Sequence, residues 1–238
     1  GEALSRDRPN LSVDADALLN YTNGIEAYHR DLDFRAGVIA HFEHNVRRMI
    51  TLSENAGIPL ILIRPPSNLR DCPPFKSLHR DGLSHDDLNR WQELVEQAKA
   101  HYRDDLFQSV RLFEQSLEID DEYAATHYEL GRCHLLTGNP DLARESFLRA
   151  LAQDICPLRM IAPLENALSD VAADTDTPLV DAFTMLEVEC PNGILGDAIL
   201  VDHVHPKFRG HQLIANALTQ TMIERGWVTP QFDWTERR

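Results

Sequence analysis

Asp202 and His205 stand three residues apart in the stretch ILVDHVHPKFRGHQLIA, which runs from position 199 to 215 just ahead of a helical pattern. At that spacing the carboxylate can accept a hydrogen bond from the imidazole Nδ1–H. The ring tautomer is then fixed, and Nε2 is left free to take a proton from a nucleophile. Pro206 imposes a turn, and Gly210 precedes Leu213, Ile214 and Leu218, which recur at helical spacing. A DxxH pair by itself occurs by chance in many chains; the proline and the Gly-His helix start behind it give it weight. His203 and His211 read as structural, one in the turn and one on the first turn of the helix. Asp202, His203 and His205 together could be weighed as a metal site. No Cys or carboxylate cluster stands near in sequence to complete a ligand set, so a metal is not expected.

Two other residues could touch a substrate. Asn68 lies in RPPSNLRDCPPFKS, residues 64–77, a proline-rich polar loop that leaves the carboxyl end of an apolar run, the place where ligands bind in open α/β sheets. Its amide could donate to a substrate oxygen or, equally, bond its own backbone in a turn. Arg159 could steer an anionic group, or it could pair with a carboxylate at a domain junction.

The elements that must position these residues follow from periodicity. Residues 38–56 carry Phe42, Val46, Met49, Ile50 and Leu52 at helical spacing and end at Gly57. Residues 58–63 are apolar and bounded by Gly57 and Pro65-Pro66, which predicts a strand buried on both faces of a parallel sheet. A second buried strand is predicted at 177–183. Between them, Leu130, Gly131, Gly138, Ala143, Phe147 and Ala150 fall at the small and large positions of a 34-residue tetratricopeptide repeat over 124–157. Ser109, Phe113 and Ser116 lie 34 residues before Ala143, Phe147 and Ala150, so the helical insertion holds about one and a half repeats. Small side chains at such positions let helices approach closely while Phe147 fills the gap between them.

Several of these motifs resemble one family, the SGNH (GDSL-type) hydrolases, whose last sequence block is DxxHP followed by a GHxxIA-like helix. Asp202, His205, Pro206, Gly210, His211, Ile214 and Ala215 match it. Asn68, Leu69, Asp71, Pro73, Pro74 and Phe75 are similar to the PxNLxDxPPF segment of a subgroup that carries tetratricopeptide repeats, and residues 154–159 also resemble that subgroup. The resemblance covers residues 42 to 227. It implies an α/β fold, part of a flavodoxin-like three-layer parallel sheet with an inserted all-α module. The expected divisions are an irregular lead-in at 1–12, a first α/β part at 13–100, the helical insertion at 101–157 and a second α/β part at 158–238.

The resemblance also implies hydrolysis of acyl esters by Ser-His-Asp chemistry, with His205 as base, Asp202 as its orienting acid, and Asn68 and Arg159 near the substrate. That substrate would be a small-molecule or glycan ester, and the reaction so implied uses no metal or organic cofactor. The family's nucleophilic serine sits on a tight strand-to-helix turn in a GDS motif, and this chain has no GDS. Ser5 and Ser12 fall in the polar lead-in, and residues 17–26 hold only an out-of-order echo of the family's GxN block at Asn23 and Gly24. The chain begins at Gly1 without an initiator Met, so the expectation is a nucleophile segment either upstream or lost. In the second case the competing reading is a non-catalytic interaction module, binding a protein partner through the repeat-like helices. Loss of sheet neighbours would also favour homo-oligomers.

Composition narrows the partners. At 238 residues with a formal charge of −15, the chain is a poor match for nucleic acid or an anionic membrane surface. Its apolar runs are strand-sized, and neither a secretory signal nor a membrane span is visible. The four cysteines form no CxxC pair, so neither a zinc knuckle nor a disulfide scaffold is expected, and the compartment is left open.

Overall fold

The structure, a computed structural model, describes residue 25 and residues 28–230. The first long element is helix α1, Leu32–Asn55, which starts where the Asp31 carboxylate accepts the Phe34 N–H. It ends at Gly57, whose φ of +65° is the left-handed conformation that a glycine tolerates without strain. Strand β1, Leu62–Arg64, follows and pairs in parallel with β2, Leu179–Asp181.

That pair is the whole sheet among the described residues, and it overturns the expected three-layer α/β architecture. The reason is local. Proline donates no backbone N–H, and Pro59 and Pro65-Pro66 on one side and Pro178 on the other confine the ladder to three residues per strand. Beyond Val180, Asp181 already caps the next helix by accepting the Thr184 N–H. Ile58, expected inside a buried strand, is 63% exposed.

Helices make up the rest. These are α2 (His85–His101), α3 (Leu106–Ile119), α4 (Ala124–Leu136), α5 (Pro140–Gln153), α6 (Ala162–Asp174), α7 (Ala182–Glu187) and α8 (Phe208–Glu224). Helices α2 to α5 pack in sequence, each on the next. A buried cluster of Trp91, Val95, Leu112, Phe113 and Leu130 joins α2 and α3 to α4. Where α4 meets α5, a Cβ on Gly131 would lie 2.8 Å from the ring of the buried Phe147, so only glycine lets the two helices approach this closely.

Two further clusters frame the short sheet. Val46 and Ile50 of α1 pack with Leu168 and Val171 of α6 over Leu62. A larger core gathers Leu69, Phe147, Phe183, Leu195 and Leu200, with Leu213 and Ile214 of α8 resting on it. This larger core fastens the 64–77 loop, the helical stack and the DxxH segment to one another. Among the described residues no helix is long and apolar enough to cross a membrane.

Candidate active site

The DxxH segment is a tight loop closed by backbone bonds. Val201 N–H donates to His205 C=O at 2.8 Å and Lys207 N–H to Ile199 C=O at 2.8 Å, flanking an antiparallel bridge between Leu200 and Pro206. Gly210 allows α8 to start directly behind it, since a Cβ there would lie 2.8 Å from Pro206 Cβ. Within the loop, Asp202 Oδ1 accepts the N–H groups of Val204 at 2.9 Å and His205 at 2.8 Å, while Oδ2 lies 2.7 Å from His205 Nδ1. The backbone N–H of His205, that of Val204 and the imidazole together hold the Asp202 carboxyl far below the usual carboxylate range.

The arrangement leaves one working atom. His205 is 71% exposed in its side chain, and among the described residues nothing hydrogen-bonds its Nε2. With Nδ1 turned to Asp202, the neutral ring presents Nε2 as a proton acceptor to solvent. The neighbouring His203 sits differently. Its Nδ1 is 3.8 Å from Asp202 Oδ1, too far for a hydrogen bond, and its ring meets Phe75 edge-on at 5.6 Å. Among the described residues no group of three or more His, Cys, Asp or Glu is placed to hold a metal ion.

Asn68 and Arg159 lie beneath this loop, not at its surface. Asn68 is 1% exposed. Its Nδ2 donates to Asp197 Oδ1 at 2.9 Å and to the Asp202 carbonyl at 3.1 Å, and its Oδ1 accepts the Asp71 N–H at 2.9 Å. Both amide hydrogens are therefore used inside the protein, where they hold the DxxH loop against the 64–77 loop. Arg159 is buried as well. One guanidinium nitrogen donates to the carbonyls of Asn68 and Cys72, each at 2.7 Å, and the other to Asp154 Oδ2 at 3.3 Å. Asp154 in turn accepts the N–H groups of Phe75, Lys76 and Cys156. Each residue thus has internal partners of the kind its second reading named: Asn68 bonds nearby backbone at Asp71, and Arg159 pairs with a carboxylate, Asp154. Their burial forces this: a polar group removed from water must find partners within the fold.

Sequence reading missed two features. Asp71 Oδ2 accepts the Asp197 N–H at 2.8 Å, clamping the approach to the DxxH loop from 126 residues away. A second imidazole–carboxylate pair joins His79 Nδ1 to the fully buried Asp120 Oδ2 at 2.6 Å, with the His79 ring stacked on Tyr123. Neither has a local spacing signal, because the partners come from different elements.

Among the described residues no hydroxyl or thiol hydrogen-bonds His205. Ser5, Ser12 and the Asn23-Gly24 echo lie outside the described residues. No family model, curated protein or solved structure matches the chain.

Proposed function

We propose that Asp202 and His205 are the acid–base pair of a serine ester hydrolase of the SGNH type, acting on acyl esters of small molecules or sugars. The observation that carries the reading is the 2.7 Å contact between Asp202 Oδ2 and His205 Nδ1, combined with an exposed Nε2 that has no partner among the described residues. His205 Nε2 removes the proton from a serine hydroxyl as its oxygen attacks the ester carbonyl. The protonated imidazole, stabilised by the ionised Asp202, then gives that proton to the departing alcohol as the ester C–O bond breaks. In the second half His205 deprotonates water, which attacks the acyl-serine; the acid leaves and the serine recovers its proton. The serine belongs to a segment outside the described residues. The helices α3 to α5 are read as tetratricopeptide-type hairpins, supported by the burial of Ser109, Phe113 and Ser116 and of Ala143, Phe147 and Ala150 at matching positions.

The test is turnover of p-nitrophenyl acetate by the protein expressed from its complete coding sequence. His205→Ala lowers kcat/KM by roughly 10²- to 10⁴-fold, the usual worth of a positioned general base. Turnover that survives the substitution contradicts the assignment. The second reading, a non-catalytic module that binds a protein through α2 to α5, is favoured by the absence of a hydroxyl or thiol beside His205 among the described residues. It expects no turnover in either protein.

A further inference from the structure

We propose that the groove between the amino-terminal half of α1 and the segment that follows α5 binds a medium-chain fatty carboxylate. The groove encloses about 560 Å³, within the range of about 300–1,000 Å³ usual for small-molecule sites. Leu32, Phe34 and Val38 form one wall, and Ile155, Ile161 and Leu164 the other. The first three are 67%, 72% and 44% exposed, although α1 buries Val46 and Ile50 farther along its length. The groove thus presents apolar side chains to water where an alkyl chain could cover them.

Arg35 supplies the polar end. It is half-buried in the groove, and among the described residues the one hydrogen bond of its guanidinium is a long one, 3.5 Å to the Ala152 carbonyl. No carboxylate of the described residues forms an ion pair with it. The other charged groups at hand are committed. Arg30 pairs with Glu122 and Gln153, Asp31 caps α1, and Asp154 is held by Arg159 and three backbone N–H groups. In a chain of formal charge −15, a guanidinium beside an apolar wall that makes no ion pair among the described residues, its acidic neighbours Asp31 and Asp154 being engaged elsewhere, is matched by an anion brought from outside. The match is specific in chemistry. A carboxylate meets the guanidinium fork with two N–H···O bonds, and its alkyl chain covers the apolar walls. A compact polar anion would leave those walls wet, and a neutral hydrocarbon would leave Arg35 unmatched. This inference rests on the groove alone and does not use the Asp202–His205 reading.

Isothermal titration of the full chain with dodecanoate, kept below its micelle concentration, tests it. Dodecyltrimethylammonium serves as the cation of equal chain length and butyrate as the short acid. The expected result is one site with Kd on the order of 10 µM, and at least about ten-fold weaker binding of both comparison compounds. Arg35→Glu and Val38→Asp each weaken dodecanoate by about ten-fold or more, while Arg35→Lys, which keeps the charge but loses the fork, weakens it less than Arg35→Glu. Thermal melting confirms that each variant is folded; these positions are exposed or half-exposed. Equal affinity for the cation, binding unchanged in Arg35→Glu and Val38→Asp, or no binding at all would overturn the proposal. Binding that appears only after residues 1–24 are deleted would also overturn it, since the chain's own amino-terminal segment would then be the occupant.

Discussion

Asp202→Asn lowers ester turnover by about 10⁴-fold while leaving the fold in place, as expected for a substitution that reverses the imidazole tautomer. The asparagine oxygen can still accept the N–H groups of Val204 and His205, which now bond to Asp202 Oδ1 at 2.9 and 2.8 Å, so the loop keeps its backbone bonds. The second position changes from acceptor to donor. At 2.7 Å from His205 Nδ1, an amide NH₂ requires Nδ1 to be the acceptor. The ring proton then moves to Nε2, the atom that must be free to receive a proton. The substitution also removes the charge that stabilises the imidazolium. The pH profile gives an independent check. The wild-type carboxyl, held far below its usual range, stays ionised under all ordinary assay conditions. A depressed carboxylate pKa contributes stability above the ordinary carboxylate range, and that contribution is lost as pH falls toward the folded value. The stabilisation of the loop therefore declines progressively once pH falls into the ordinary carboxylate range, and the carboxylate itself is protonated only in stronger acid. Circular dichroism with kcat and KM measured separately distinguishes the outcomes. A variant that is folded, binds substrate and turns it over within ten-fold of wild type would contradict the role given to Asp202.

Arg159→Met destabilises the protein by about 3–5 kcal/mol, the range for breaking a buried ion pair from one side. The side chains of Arg159 and Asp154 are 2% and 0% exposed. Removing the guanidinium leaves the carbonyls of Asn68 and Cys72 without their 2.7 Å donors and Asp154 without a counter-charge. Three backbone N–H groups still reach Asp154, which keeps the loss within that range. Pairing the change with Asp154→Asn recovers part of it, because the uncompensated charge is gone. Urea unfolding measures both. A loss below about 1 kcal/mol would mean that the pair does not anchor the 64–77 loop.

The two residues show why some of this protein could be read from its sequence and some could not. Asp202 and His205 are three positions apart, and the carboxylate, the ring and the two N–H groups it holds all belong to one loop. Pro206 and Gly210 mark that loop and the start of α8 by their own backbone constraints. Helix α1 is equally local: its apolar stripe and Gly57 predict it, although it begins at Leu32, six residues before the periodic stretch. The roles of Asn68 and Arg159 depend on partners far along the chain. The Asn68 amide meets Asp197 across 129 residues, and Arg159 meets the Asn68 carbonyl across 91. Residue type marks both as polar and capable of contact; only packing decides that the contact is internal. The sheet failed for a related reason. The apolar runs at 58–63 and 177–183 locate two strands, but a strand's number of neighbours is a tertiary property, and the flanking prolines shorten the ladder that does form.

Labelling with a fluorophosphonate probe, followed by peptide mapping of the adduct, tests the central claim most directly, because the probe reacts with a serine whose proton is being removed by a neighbouring base. The protein expressed from its complete coding sequence is expected to carry one adduct on a single serine, and His205→Ala is expected to lose it. An adduct formed equally in His205→Ala, or no adduct in the wild-type protein, would contradict the assignment of His205 as the base of a serine hydrolase.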